Sequence, residues 1–266
     1  MSSLTTACRT LLLAVCLILP TAAVGESQIL LPMPSVLREI AATTFDRDGN
    51  AIGLSSFVME QLESGIRHMK IEMSADDGGR NRSEAILAPV EGDATPALRL
   101  LEERSQARRA DGSSLDLLVI DHVRGRASCY PPDDASLSRG RHLDLPGNDR
   151  VVNVPMQLLF QPLVAEEVDS VHFQVTLCRK GPVIHDMIAV RGPRKRVEGR
   201  EVIEIRYGPD FGKVAAFIAS RMLPSFSFWF DTQTGGYLGH RMPLHTQGPE
   251  VLLVRQGLTP PDIGVE

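Results

Sequence analysis

The sequence predicts a mainly β protein, a curved antiparallel sheet or open half-barrel with two short helices on its concave face. Three observations carry this. Turn-forming dipeptides recur between short apolar segments, residues within those segments alternate, and two isolated stretches have helical spacing instead. The stretch 201–255 contains each kind of segment. EVIEIRY sets Ile203, Ile205 and Tyr207 on one side and Val202, Glu204 and Arg206 on the other, the pattern of a half-buried strand. GKVAAFIASRML then spaces Val214, Ala215, Phe217, Ile218 and Met222 as a helix, which Pro224 ends. SFSFWFD alternates again, with Phe226, Phe228 and Phe230 on one face, and two strand-like runs follow, GYLGHRMPL and EVLLVRQ. A helix enclosed between strands suits the concave side of a curved sheet.

Taken in order, the chain opens as a signal peptide over residues 1–25. Arg9 precedes an apolar run from Leu11 to Leu19, and Ala23-Val24-Gly25 supplies the small residues of a cleavage site before Glu26. The run is shorter than the roughly 20 residues a membrane-spanning helix needs. Cys16 lies inside it, between Val15 and Leu17, and lacks the small and polar flanks of a lipid-modified cysteine. The expectation is a soluble protein exported to the periplasm, with no transmembrane span after cleavage. One β-rich domain then covers residues 26–266.

From Ala41 to Cys129, turn pairs such as Asp48-Gly49, Asp77-Gly78, Asp111-Gly112 and Arg124-Gly125 separate the segments. In HMKIEM, Met69, Ile71 and Met73 point one way, and His68, Lys70 and Glu72 the other. One-sided alternation of this kind fits an antiparallel meander. Leu98–Arg108, which also has some helical character, is assigned to a strand because turns bracket it. Residues 131–150 are polar, rich in Pro, Gly and Asp and without period, and read as a loop between two halves of the sheet. VNVPMQLLFQPLV forms the other helix, with Met156, Leu159, Phe160 and Leu163 on one stripe. VDSVHFQVTLCRK is a strand with Val171, Phe173, Val175 and Leu177 inward, and Arg191–Gly199 is read as a turn. Residues 257–266, with Pro260-Pro261, read as a loose tail.

Composition excludes more than it assigns. With Arg9 removed from the 28 basic residues, the exported chain carries 27 against 33 acidic ones, a formal charge of −6 that argues against a nucleic-acid partner. Cys129 and Cys178 remain after cleavage. In an oxidising compartment they pair, free thiols being the alternative, and neither has the setting of a catalytic thiol. No G-x-S-x-G elbow and no H-E-x-x-H pair occurs. Asp46-x-Asp48-x-Asn50 starts like a calcium loop, but Ala51 and Phe57 stand where Gly and Glu are required, so it reads as a hairpin turn. The cluster Arg191, Arg194, Lys195, Arg196 and Arg200 reads as a solvated hairpin end. No metal, cofactor or catalytic residue is expected.

What remains is apolar. The space between helices and sheet is core, or else it holds an acyl chain. The lining residues for a ligand are Leu159, Phe160, Phe173, Ile205, Phe217, Ile218, Phe228 and Trp229.

The order of signal, meander, Gln161-Pro162-Leu163, strands, I-R-Y-G-P and W-F-D…G-Y-L-G-H-R-M-P-L resembles uncharacterised proteobacterial exported proteins. Their half-barrel fold is similar to that of the Lol-type periplasmic lipoprotein carriers. The plain N-terminus and the long polar loop at Pro131 depart from that pattern. The resemblance implies a non-enzymatic protein that binds or shuttles a lipid-like molecule or an acylated protein such as a lipoprotein. Two other readings stand beside it. One is an envelope assembly factor with a packed interior and an envelope protein as partner; the other is a hydrolase at the mouth of the half-barrel.

Overall fold

A computed structural model describes residues 29–34, 39–90, 96–147, 150–210, 226–245 and 248–265. The expected signal segment 1–25 and the expected helix Val214–Leu223, with Phe217 and Ile218, lie outside them.

Nine strands run first: β1 (Leu31–Pro32), β2 (Ile40–Phe45), β3 (Ala51–Gln61), β4 (Arg67–Ser74), β5 (Arg80–Val90), β6 (Ala97–Arg108), β7 (Leu117–Asp121), β8 (Arg126–Tyr130) and β9 (Arg141–Asp144). Two helical turns, α1 (Met156–Leu159) and α2 (Gln161–Val164), cross over. Six strands follow: β10 (Ser170–Cys178), β11 (Pro182–Val197), β12 (Arg200–Pro209), β13 (Phe226–Asp231), β14 (Tyr237–Pro243) and β15 (Glu250–Arg255). All belong to one sheet, whose path runs β10 to β15, then β2 to β9, with β1 added beside β6. Each pair of neighbouring strands is antiparallel. The path does not close, so the architecture is the curved, open half-barrel the sequence predicts.

The concave side holds the main core. Ile203, Ile205 and Tyr207 of β12, Phe228 and Phe230 of β13, and Met69, Ile71 and Met73 of β4 all join it, together with Leu158, Leu159, Phe160, Leu163 and Val164 of the crossover. The alternation in EVIEIRY, SFSFWFD and HMKIEM therefore reports the inward face directly. A smaller cluster covers the convex side, where Trp229, Leu238, Leu252 and Val254 meet Ile263 and Val265.

The two edges of the path, β9 and β10, face each other across a seam. Cys129 on β8 and Cys178 at the end of β10 form a disulfide, with Cα atoms 5.7 Å apart. Residues 150–152 pair with β10: Gln174 N donates to Arg150 O and Val152 N to Gln174 O, both at 2.8 Å. Just beyond, Asn153 takes both backbone groups of Thr176, its Oδ1 accepting from Thr176 N at 2.9 Å and its Nδ2 donating to Thr176 O at 2.7 Å. The exposed ladder of β10 is thus covered by the chain's own crossover, a common protection for a sheet edge.

Three local expectations are corrected. The polar segment 131–150 contains β9, and Asp134 organises its first part by accepting from Arg139 N at 2.6 Å and Ser136 Oγ at 2.9 Å. The turn expected at Arg191–Gly199 is the continuation of β11. A register shift between Arg191 and Arg194 absorbs Gly192-Pro193, and the reversal falls on Glu198 and Gly199, at φ 49° and 83°. The basic cluster is the solvated hairpin end expected, carried on the strands that flank the reversal: Arg191 pairs with Asp169 at 2.7 Å and Arg194 with Glu166 at 2.8 Å. The tail is not loose. Thr259 and Asp262 form a capping box on the single 3₁₀ turn Pro260–Ile263, which places Ile263 and Val265 on the convex cluster.

Candidate functional site

Between the concave sheet and the crossover lies a cavity of about 950 Å³. Its deep wall is apolar and aromatic: Phe57 of β3, Ile71 and Met73 of β4, Met156 of α1, Met187 of β11, Tyr207 of β12 and Phe226 and Phe228 of β13. Methionines give such a wall adaptable shape. Exposed Arg179 and Lys180 line another part, so the cavity reaches the surface near the disulfide.

Polar side chains line the rest of the cavity, among them Ser114, Asn153, Gln157, His185 and His245. Asn81, Ser83 and Ser105 form one set, with the two hydroxyls 2.9 Å apart and Asn81 Nδ2 donating to Leu244 O at 3.1 Å. Thr176 of β10 is fully buried. Asn153 satisfies its backbone, but its hydroxyl has no partner among the described residues.

A further polar pair is Tyr237 and His240 of β14, of which His240 lines the cavity. Three residues apart, they would face opposite sides of a regular strand. A register shift between Trp229 and Phe230 inserts one extra residue opposite them, sends Leu238 to the convex cluster and turns both rings inward. Gly239 is required beside this bulge, because a Cβ there would stand 2.6 Å from Leu253 O. Tyr237 Oη lies 2.6 Å from His240 Nδ1. Phe228 stacks on the imidazole at 4.9 Å between centroids and Phe57 meets it edge-on at 5.7 Å. Burial among these rings pushes the imidazole down to about 3 and the Tyr237 phenol well up, so both groups are neutral. His240 Nε2 has no hydrogen-bond partner among the described residues.

The sequence-predicted lining separates into four groups. Phe228 lines the cavity. Leu159, Phe160, Phe173 and Ile205 belong to the same core but pack behind it, the Phe160 ring sitting 5.8 Å from Phe173 and 5.3 Å from Phe228. Trp229 is on the opposite, convex face, as its place between Phe228 and Phe230 requires. Phe217 and Ile218 lie outside the described residues. Sequence reasoning missed His240 and Thr176 as lining. Inward alternation fails at the end of β10, where Leu177 is exposed and Asn153 covers Thr176.

No family model and no curated protein matches the chain. Solved structures similar to it include a β-barrel-like protein of the domain of unknown function DUF1849 from Brucella abortus. That match has 11% identity and a TM-score of 0.36, and covers 83% of this chain and 97% of that one. Another is the hypothetical lipoprotein YmcC from Escherichia coli, at 10% identity and a TM-score of 0.31, covering 86% and 90%. Among the described residues, no helix is long and apolar enough to cross a membrane.

Proposed function

We propose that this is a non-enzymatic, exported envelope protein that binds or shuttles a lipid-like or acylated ligand in its concave cavity, as the resemblance to Lol-type carriers implies. The observation that supports it is the cavity itself. About 950 Å³ with one wall of Phe, Met, Ile and Tyr and polar side chains elsewhere suits one flexible ligand with an apolar tail. A scaffold that presents a free sheet edge fits less well, since residues 150–152 already occupy β10. The hydrolase reading needs a histidine beside a serine or carboxylate in the cavity; of the lining histidines His185, His240 and His245, the buried one, His240, bonds a phenol instead. Ser128 and His142, 2.8 Å apart, sit on β8 and β9 outside the cavity lining.

Native mass spectrometry of the protein purified from its compartment, together with titration by the apolar fluorophore N-phenyl-1-naphthylamine, tests this reading. The expected result is a copurified noncovalent lipid and saturable dye binding. Ala107→Trp, which fills the cavity from β6, should weaken dye binding about tenfold or more. A protein that carries no lipid and binds no dye would overturn the proposal.

A further inference from the structure

This inference rests on the cavity being a ligand site and concerns the chemistry of what enters it. Every buried polar atom normally finds a partner, and an unmatched one inside a cavity marks where a ligand atom or water belongs. Two such atoms belong to residues of the cavity lining, His240 Nε2 and Thr176 Oγ1. His240 is 1% exposed and Thr176 0%.

The proton on His240 can be placed by counting. Tyr237 Oη and His240 Nδ1 share one hydrogen bond, 2.6 Å long. If Nδ1 carried the proton, the phenol O–H and the Nε2 lone pair would both be left unmatched. If the phenol donates to Nδ1, only Nε2–H is left. The second arrangement leaves one fewer buried group unsatisfied, and each such group costs on the order of 1–3 kcal/mol. Tyr237 thus holds the imidazole as a neutral donor in the cavity wall. The bulge that turns both rings inward, at the cost of ladder regularity and with Gly239 beside it, brings this pair together.

A neutral donor surrounded by Phe57, Phe228 and Tyr237 suits an uncharged acceptor; the charged side chains of the lining, Arg109, Asp116, Arg179 and Lys180, are partly or fully exposed. We infer that the ligand is a neutral acyl compound whose ester or amide carbonyl accepts a hydrogen bond from His240 Nε2–H, with the Thr176 hydroxyl meeting a second polar atom of the same molecule. The tail occupies the wall of Ile71, Met73 and Met187.

The test uses the whole protein with methyl laurate carrying a ¹³C-labelled carbonyl, an alkane of matched length, and laurate anion. Each competes with N-phenyl-1-naphthylamine, and the carbonyl stretch of bound ester is read by isotope-edited infrared spectroscopy. The expected result is that the ester, corrected for its partition into hydrocarbon, outcompetes both alkane and laurate, with its carbonyl stretch lowered relative to hydrocarbon solution. In His240→Phe the dye still binds, the ester preference falls about tenfold, as for one lost neutral hydrogen bond, and the stretch returns to its hydrocarbon value. If the dye binds the wild type but the ester gains nothing over alkane and its stretch is unshifted, water satisfies His240 and this inference fails while the cavity reading stands. A preference for laurate also overturns it. Failure of the dye to bind removes both. Should His240→Phe not fold, the wild-type spectrum and Thr176→Val decide the matter, the latter expected to weaken the ester severalfold without affecting the dye.

Discussion

The carboxylate of Glu103 accepts the backbone N–H of Val154 at 2.6 Å, so an acid on β6 fixes the chain as it enters α1. Its same oxygen takes Asn153 N at 2.8 Å, and its other oxygen meets His122 Nε2 at 3.0 Å. Glu103 is 1% exposed. This carboxylate ties the crossover to the sheet at the point where residues 150–154 seal the β10 edge.

Removing that tie should be expensive. Glu103→Ala leaves two backbone donors without their acceptor, and a loss of roughly 3 kcal/mol is expected in urea denaturation. Glu103→Gln, which keeps one acceptor oxygen, should lose clearly less. Equal stability of Glu103→Ala and wild type would show that the crossover is held by its apolar residues alone.

The disulfide closes the seam from the other side. Cys129 and Cys178 are separated by 49 residues, and opening a loop of that size should lower stability by about 4 kcal/mol on a chain-entropy basis. The Cys129→Ser/Cys178→Ser double variant should keep its far-ultraviolet circular dichroism while its thermal midpoint falls.

Acid should weaken the fold through His240. Unfolded, the imidazole titrates near its ordinary 6.5; folded, burial depresses it to about 3. Between those values the unfolded chain binds a proton that the folded one does not, so stability falls as pH drops through this window and is fully present above it. The expected slope from this group is about 1.4 kcal/mol per pH unit at pH 4–5. His240→Phe should remove that part of the slope, and an unchanged pH profile would show that the imidazole is charged or open to water.

Trp229 is the chain's only tryptophan and sits on the convex face, with the Arg241 guanidinium carbon 5.8 Å from its ring. Its emission should be blue-shifted and poorly quenched by acrylamide, and ligand binding in the cavity should leave it unchanged. Trp229→Ala should lower stability by about 3 kcal/mol without altering dye affinity. A large emission change on binding would place the ligand on the convex side.

Much of this architecture was legible in the residues because period-2 alternation is a local signal. Ile203, Ile205 and Tyr207, Phe226, Phe228 and Phe230, and Met69, Ile71 and Met73 each named the concave face before any coordinate did. The misreadings occur where a strand departs from that period. Gly192-Pro193 resembled the start of a turn because a bulge and a turn use the same residues. Tyr237 and His240 share a face only through an insertion that depends on the neighbouring strand, which no count along β14 can detect. Thr176 is buried by Asn153, twenty-three residues away in the chain. The tail was misjudged because Pro260-Pro261 signals a break in regular structure, whereas its burial depends on the convex patch around Trp229.

The strand order carries a last consequence. β15, the last strand in chain order among the described residues, lies against β2, one of the earliest, and β2 is held on that flank by Leu252, Leu253, Val254 and Arg255. Until those four residues arrive, the first half of the protein is a ribbon with a bare, sticky margin along β2. A nascent chain cannot mature piecemeal, and a ribosome that stops short of Glu250 releases a product prone to self-association rather than a smaller working domain.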